Sequence, residues 1–145
     1  MSLHGTYDPQ NIFAMIIRGE APCYKLYEDD EVLAFLDVFP QSFGHTLVIP
    51  KQVQARNLLD VDSAVLGKLM AVVQRLAAVL VDELQPDGVQ VAQFNGAPAG
   101  QTVFHLHVHI VPRYAAQGLG VHAASKADPV ELEQLQARLL KHLQG

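Results

Sequence analysis

Three patterns in the sequence predict an α+β fold in which an antiparallel sheet of about five strands is flanked by helices. Short apolar runs separated by turn residues are typical of sequential strands joined by hairpins. Apolar residues at helical spacing predict a long helix over 62–85 and a last helix over 128–143. Alternating apolar and polar residues over 104–111 predict a half-buried strand. With 145 residues, 50% of them hydrophobic, the chain suits a single domain, 1–145.

The predicted elements follow in a regular order. Asp8 and Pro9 suit the cap and the first position of a short helix that ends at Gly19. Asp29 and Asp30 suit a hairpin turn. Strands are expected at 24–28, 31–37, 45–49, 88–95 and 103–111. This order places the strands in one antiparallel sheet and the helices outside it.

The long helix over 62–85 has an unusually wide apolar arc. Val65, Val72 and Val79 form a stripe beside the main apolar face. One interpretation is that a second subunit covers this stripe, so that the protein is a homodimer. The other is that a single core wraps the helix on both sides.

Composition and charge exclude several classes of function. Charged residues make up 17% of the chain and the formal net charge is -5, with the basic residues scattered, so we expect no nucleic-acid partner. Residues 1–8 lack the pattern of a signal peptide. Charge interrupts the longest apolar stretches, so we expect no membrane span. Cys23 is the only cysteine, which excludes an internal disulfide and suits the cytoplasm.

Three histidines alternate with apolar residues on the predicted last strand. His105, His107 and His109 should share one face, about 7 Å apart in succession, because side chains of a strand point to opposite faces in turn. Two histidines at this spacing can bind zinc with a third ligand from elsewhere. Alternatively, a neutral imidazole can attack phosphorus while its neighbours stabilise the phosphate oxygens. A solvated face with incidental histidines is disfavoured by three hits at strict alternation.

Several segments together resemble the signature of the histidine-triad (HIT) superfamily, in a bacterial type related to the Hint and Fhit branches. The triad run His105–Arg113 is preceded by Asn95-Gly96 and by Ala99–Phe104. The upstream blocks are Ala34–Gln41, Gly44–Lys51 and Ile12–Arg18. The resemblance covers a core of about 11–113 and leaves 114–145 as a C-terminal helical extension.

The resemblance implies the HIT fold and a metal-free nucleotide hydrolase that uses no cofactor. Such an enzyme cleaves at the α-phosphate of a purine nucleoside phosphoramidate or related nucleotide, through a covalent nucleotidyl-histidine. The alternatives are a dinucleoside polyphosphate hydrolase, a nucleotide-binding scaffold with little turnover, and a zinc hydrolase that uses the same histidines.

The resemblance also implies roles for the polar residues. His107 becomes the nucleophile, His109 lies beside the phosphate and leaving group, and His105 orients the site. His45 matches a fourth histidine at the edge of the site, and Asp37 matches a ribose contact.

The remaining matched positions surround the ligand. Asn95, Gln101 and Thr102 match residues that hydrogen-bond the phosphate or the strand carrying the triad. An apolar slot for the base is matched by Ile12, Phe13, Phe35 and Val38.

The chain also departs from its relatives. Where several bacterial members carry Cys-x-x-Cys for structural zinc, this chain has Asn11-Ile12-Phe13-Ala14, so we expect no zinc. Relatives that transfer nucleotides often replace the third histidine with glutamine, whereas His109 is retained, which favours hydrolysis.

Overall fold

The computed structural model describes residues 2–117 and 125–143. It contains three α-helices and five strands, in the order α1 (Ile12–Ile17), β1 (Tyr24–Glu28), β2 (Val32–Leu36), β3 (Thr46–Pro50), α2 (Ser63–Leu84), β4 (Gly88–Ala92), β5 (Val108–Arg113) and α3 (Pro129–Leu143). The strands form one sheet in the order β1-β2-β3-β5-β4, and every neighbouring pair is antiparallel. The α+β fold predicted from the sequence is therefore confirmed. Within the predicted C-terminal extension, 118–124 and 144–145 lie outside the described residues.

The two faces of the sheet carry different cores. Val32, Ala34 and Leu36 of β2 point to the face covered by α2 and α3. Leu33 and Phe35, which alternate with them, point to the opposite face and pack with Phe13 of α1. The period of two along β2 therefore separates a large helical core from a smaller core around α1.

The first helix begins later than expected. Asp8 and Pro9 lie before it, and α1 starts at Ile12 because the side chain of Asn11 caps it by accepting a hydrogen bond from the amide of Ala14. The Asp8 carboxylate instead accepts from the amide of Gln10 in the preceding turn. The observed cap therefore lies three residues after the predicted one.

The last strand is also shorter than the predicted 103–111. It begins at Val108, and the segment before it follows another course, since the amide of Leu106 donates to the carbonyl of Ala55 at 2.8 Å. Leu106, Val108 and Ile110 nevertheless lie buried in the α2–α3 core. The apolar half of the predicted alternation therefore faces the helices, as expected, although only part of the segment is strand.

The long helix α2 contributes the largest share of the helical core. Its buried side chains are Leu69, Val72, Val73, Leu76 and Leu80. By length and composition alone it is apolar enough to cross a membrane, with a mean hydropathy of 1.8 in its most apolar window. Lys68 and Arg75 interrupt this stretch, as expected from the sequence. Its contacts with β2, β3, β5 and α3 are those of a core helix in a globular fold.

Candidate active site

The α1 face of the sheet brings three of the predicted polar residues, Asp37, His45 and His109, together at one end of the strands. His109 lies on β5, where it pairs with Leu47 of β3. His45 directly precedes β3, and Asp37 directly follows β2. The amide of Asp37 donates to the carbonyl of His45 at 2.9 Å, which continues the pairing of β2 with β3 up to the site.

The turn before His45 depends on glycine. Gly44 has a φ of +98°, which side chains rarely adopt. A Cβ added at Gly44 would lie 2.5 Å from a methyl of Leu84 and 3.1 Å from the ring of Pro112. The close approach of α2 and β5 to this turn therefore leaves room only for glycine and sets the direction in which His45 enters the site.

His107 is buried and held in one tautomer. Its Nδ1 lies 2.7 Å from the carbonyl oxygen of His105, which can only accept, so Nδ1 carries the proton and donates. The Nε2 lone pair is then free. The ring lies 4.9 Å from the ring of Phe13 and 4.9 Å from that of His109, measured between centroids. Burial lowers the pKa of His107, and the free lone pair is therefore available at neutral pH.

His45 and His109 form a directed hydrogen-bonded pair. The amide of Gln41 donates to Nδ1 of His45 at 2.9 Å, so the proton of neutral His45 is on Nε2. This Nε2 lies 3.0 Å from Nδ1 of His109 and donates to it. The proton of neutral His109 is consequently on its own Nε2. The amide of Gln41, Nε2–H of His45 and Nε2–H of His109 are thus three donors in series, each fixed by the one before it.

Asp37 lies next to this pair. One carboxylate oxygen is 3.5 Å from Nε2 of His45, and the other accepts from the amide of Phe39 at 2.8 Å. Burial raises the pKa of Asp37 to about 6, with the Phe39 amide acting in the opposite direction. Burial lowers the pKa of His45 to about 4 and that of His109 to about 3. At neutral pH the site therefore holds neutral imidazoles beside one carboxylate.

His105 is fixed at both ring nitrogens. Its Nε2 lies 2.9 Å from the carbonyl oxygen of Pro50, to which it donates. Its Nδ1 therefore accepts, and the hydroxyl of Tyr7 lies 2.6 Å from it. Burial lowers the pKa of His105 to about 4. Sequence reasoning missed Tyr7, because it precedes its partner by 98 positions and belongs to no motif of the triad.

The loop before the triad is built around a buried amide. Gln101 accepts from the amide of Gly96 at 2.8 Å and donates to the carbonyls of Arg56 and Val103 at 2.6 and 3.0 Å. These three bonds occupy its side chain with backbone groups of the protein. Two roles were predicted for Gln101, a hydrogen bond to the phosphate or one to the strand that carries the triad. The bond to Val103, two residues before His105, favours the second role.

The two other predicted polar residues have different surroundings. Asn95 accepts from the amide of Leu58 at 2.9 Å and from the side chain of Gln93 at 2.9 Å. Thr102 is exposed. Thr102 is therefore accessible to a ligand, whereas the carbonyl oxygen of Asn95 already has two protein donors.

Only part of the predicted apolar slot is assembled in one place. Phe13 and Phe35 pack edge to face, 5.5 Å apart, on the α1 face. Ile12 is next to them in α1 and 46% exposed. Val38, in contrast, packs against the α2–α3 core, because it follows the end of β2 and turns toward the other face. The structure therefore does not place Val38 with the other three.

An unpredicted aromatic residue, Phe94, borders the site on the other side of His109. Its ring centroid is 5.3 Å from that of His109. Phe94 precedes Asn95 on the loop after β4. Sequence reasoning missed it, because an apolar residue in such a stretch is interpreted as an ordinary core residue.

Three of these residues also have the ligand atoms that a metal ion requires. Atoms of Asp37, His45 and His109 lie within 4.8 Å of one another. Two neutral imidazoles and one carboxylate are ligands that zinc accepts, and three protein ligands leave a fourth position open. A bound ion would replace the hydrogen bond between His45 and His109, so metal binding and the directed pair are mutually exclusive.

On one face of an antiparallel sheet, a buried imidazole with a free lone pair lies beside a hydrogen-bonded pair of histidines. This arrangement is that of a histidine-triad protein. The chain belongs to the HIT family: the HIT domain model matches residues 18–116.

Individual relatives cover most of the chain. A crystal structure of a Hit-like protein involved in cell-cycle regulation from Bartonella henselae superimposes with a TM-score of 0.86 at 42% identity, covering 94% of this chain and 98% of that chain. Protein hit of Bacillus subtilis is 39% identical over 91% of this chain and 93% of its own length. Adenylylsulfatase HINT3 of Arabidopsis thaliana is 38% identical over 91% of this chain and 68% of its own length.

Proposed function

We propose that this protein hydrolyses the bond between the α-phosphorus and the leaving group of a purine nucleoside 5′-phosphoramidate or related nucleotide. His107 is the nucleophile. Its Nε2 attacks the α-phosphorus, the P–N bond breaks with its electron pair on the departing amine, and a nucleotidyl-His107 forms. Water then attacks the same phosphorus, which releases the nucleoside monophosphate and restores the imidazole.

The hydrogen bond from Nδ1 of His107 to the carbonyl of His105 is the observation that carries this proposal. It places the lone pair on Nε2 and stabilises the positive charge that develops on the ring as the N–P bond forms. Because burial lowers the pKa of His107, the ring enters the reaction uncharged at neutral pH. A polar side chain that is only 5% exposed needs such a partner for its buried N–H.

The His45–His109 pair supports protonation of the leaving group. An amine leaves phosphorus readily only when it takes up a proton, and His109 keeps its proton on Nε2 because its Nδ1 accepts from His45. The Nε2–H of His109 therefore donates a hydrogen bond to the leaving nitrogen, which takes up its proton from solvent, and the attacking water returns one proton to solvent in the second step. This donor lies beside the nucleophile, with 4.9 Å between the rings of His107 and His109.

Adenylyl sulfate is a second candidate substrate. The relative named adenylylsulfatase HINT3 matches 91% of this chain at 38% identity. Attack by His107 at the α-phosphorus would expel sulfate, which leaves as a stable anion and takes up no proton. The same nucleophile therefore serves both substrates, and they differ in their need for the His45–His109 pair. Dinucleoside polyphosphates are a third candidate and expel a nucleotide.

One comparison tests these proposals. Wild type and the His107→Ala variant, both treated with chelator, are incubated with adenosine phosphoramidate, adenylyl sulfate and a dinucleoside tetraphosphate. We expect the wild type to release AMP from at least one substrate and the variant to release none. Loss of wild-type activity on chelation would favour the zinc hydrolase, with Asp37, His45 and His109 as ligands. Binding of AMP without turnover of any substrate would favour the nucleotide-binding scaffold.

We also propose that the protein is a homodimer. The predicted stripe does not supply the interface, because Val72 is buried in the helical core and Val79 packs against it. The side of α2 that turns away from the sheet instead exposes Met70 and Val81, which are 40% and 39% accessible, with the exposed Gln74 between them. Exposed apolar side chains on one helix face are a candidate interface. A monomeric mass in solution at micromolar concentration would contradict this proposal.

A further inference from the structure

The catalytic histidines are held by a segment far from them in sequence. Tyr7 belongs to residues 2–11, which precede α1 and contain no helix or strand. Its hydroxyl lies 2.6 Å from Nδ1 of His105, and its ring packs edge to face on the same imidazole at 5.7 Å. Because Nε2 of His105 donates to Pro50, Nδ1 has no proton and Tyr7 is the donor. His105 is therefore fixed in position and in tautomer by two partners.

The position of His105 matters because its carbonyl orients the nucleophile. That carbonyl accepts from Nδ1 of His107 at 2.7 Å. In the described part of the chain, pairing of β3 with β5 begins only at Val108, so sheet hydrogen bonds do not hold the backbone of His105. What holds it is the amide of Leu106, bound to Ala55, and the imidazole of His105 itself. Anchoring the ring thus also anchors the carbonyl.

The segment that carries Tyr7 is itself tied down at several points. The guanidinium of Arg56 donates to the carbonyls of Ser2 and Thr6 at 2.9 and 3.3 Å and lies 4.7 Å from the ring centroid of Phe104. The side chain of Asn57 donates to the carbonyl of Leu3 at 2.8 Å. Arg56 thus links the segment to Phe104, the residue next to His105, and the backbone on both sides of the link is held in place. The position of Tyr7 beside the triad is fixed by these contacts.

We propose that Tyr7 is a positioning residue that acts through His105 on the nucleophile His107. The carbonyl of Pro50 sets the Nε2–H tautomer of His105, and the hydroxyl of Tyr7 holds the ring in one orientation. The carbonyl of His105 then stays in place to accept from Nδ1 of His107, which leaves the lone pair on Nε2. His105 lies between Tyr7 and the nucleophile, and Tyr7 contacts neither the phosphate nor the leaving group in this scheme. The inference rests on the proposed function of His107 as nucleophile.

The Tyr7→Phe variant removes the hydroxyl and keeps the ring that packs on His105. The matched control is Tyr27→Phe, which removes a hydroxyl bound to Asp29 at 2.7 Å on β1, outside the site. In Tyr7→Phe we expect kcat for the substrate turned over by the wild type to fall about 10-fold, equivalent to about 1.4 kcal/mol, while the Kd for AMP changes by less than about twofold. The control should match the wild type in both. A merely structural loss would weaken AMP binding and kcat together.

The ring nitrogens of the histidines provide a readout that needs no reaction. Nitrogen-15 NMR of the free protein should show His105 as Nε2–H and His107 as Nδ1–H in the wild type and in Tyr27→Phe. In Tyr7→Phe, the Nδ1 signal of His105 should shift toward that of a nitrogen without a hydrogen bond, and the Nδ1–H signal of His107 should shift and broaden because its acceptor carbonyl is held less firmly. If no substrate is turned over by the wild type, the proposed function fails, and these spectra still decide the role of Tyr7. An unchanged Nδ1–H signal of His107 in Tyr7→Phe, or a kcat equal to that of the wild type, would overturn the inference.

Discussion

Nε2 of His45 donates a hydrogen bond of 3.0 Å to Nδ1 of His109, and the amide of Gln41 fixes its direction from behind. This relationship divides the histidines of the site into two groups. His107 presents a lone pair, whereas His109 presents a proton. The division arises from backbone groups, the amide of Gln41 and the carbonyl of His105, and therefore persists without a bound ligand.

The first prediction concerns the need for a proton on the leaving group. In His45→Asn the shorter side chain no longer reaches His109, so His109 can move its proton to Nδ1 and lose its donor on the substrate side. We expect kcat to fall about 10- to 100-fold with adenosine phosphoramidate and much less with adenylyl sulfate, since only the departing amine needs a hydrogen-bond donor at its nitrogen. Steady-state kinetics with both substrates provide the measurement. Equal losses for the two would show that the pair has another role.

The second prediction concerns the ribose. Asp37→Asn keeps the oxygen that accepts from Phe39 and removes the charge. We expect the Kd for AMP at pH 7 to rise about 10-fold, in line with a lost hydrogen bond to a charged group, and the Kd for 2′,3′-dideoxy-AMP to stay unchanged. Since burial raises the pKa of Asp37 to about 6, wild-type affinity for AMP should weaken below that pH as the carboxylate is protonated. Calorimetric titrations from pH 7.5 to 5 should show a shallower dependence in Asp37→Asn, and equal slopes would exclude the contact.

The third prediction concerns stability against pH. The pKa values of His45, His105 and His109 are lowered by burial to about 4, 4 and 3, while the unfolded chain takes up these protons near pH 6.5. Below about pH 6.5 the unfolded state therefore binds more protons, and the free energy of unfolding falls as the pH falls toward 4. Asp37, whose pKa is raised, acts in the opposite direction but is a single group.

Thermal unfolding followed from pH 7 to 4.5 tests this prediction. We expect Tm to decrease steadily below about pH 6.5. The decrease should be smaller in His45→Asn, and it should be unchanged in a His4→Asn variant, because His4 is exposed. A Tm that is constant or rises on acidification would contradict the argument.

The fourth prediction concerns the loop before the triad. Gln101 is 3% exposed and makes three hydrogen bonds to backbone groups. Gln101→Ala leaves the amide of Gly96 and two carbonyls without these partners, and we expect a loss of about 2–3 kcal/mol in the free energy of unfolding. Urea denaturation measures it, with Gln134→Ala on the exposed side of α3 as the control. A change below about 0.5 kcal/mol would mean that water replaces the amide fully.

Much of the sheet could be predicted because local patterns and tertiary packing agree. In β2, alternation alone separates Ala34 from Phe35, and the structure places them in different cores. Leu106 and Val108 both lie in the α2–α3 core, whereas His107, which alternates with them, packs on Phe13 at the other face. Helix caps are also local in sequence: the side chain of Asp62 accepts from the amide of Ala64 at the start of α2.

The remaining features depend on contacts between distant residues. The start of β5 shifts to Val108 because Leu106 bonds to Ala55, which no local pattern indicates. Tyr7 meets His105 across the fold, and Val38 turns toward the helical core where its motif suggests the base slot. In the site, alternation predicted that the three histidines share a face, and the family resemblance added His45 and Asp37, whereas the tautomers follow from backbone groups.

The central claim is that His107 becomes covalently attached to the nucleotide. Rapid acid-free quenching of the enzyme during turnover, followed by peptide mass spectrometry, measures this attachment directly. We predict one adenylyl group on the peptide that contains His107 in the wild type and none in His107→Ala. Turnover without any adduct, or an adduct of equal yield in His107→Ala, would contradict the account.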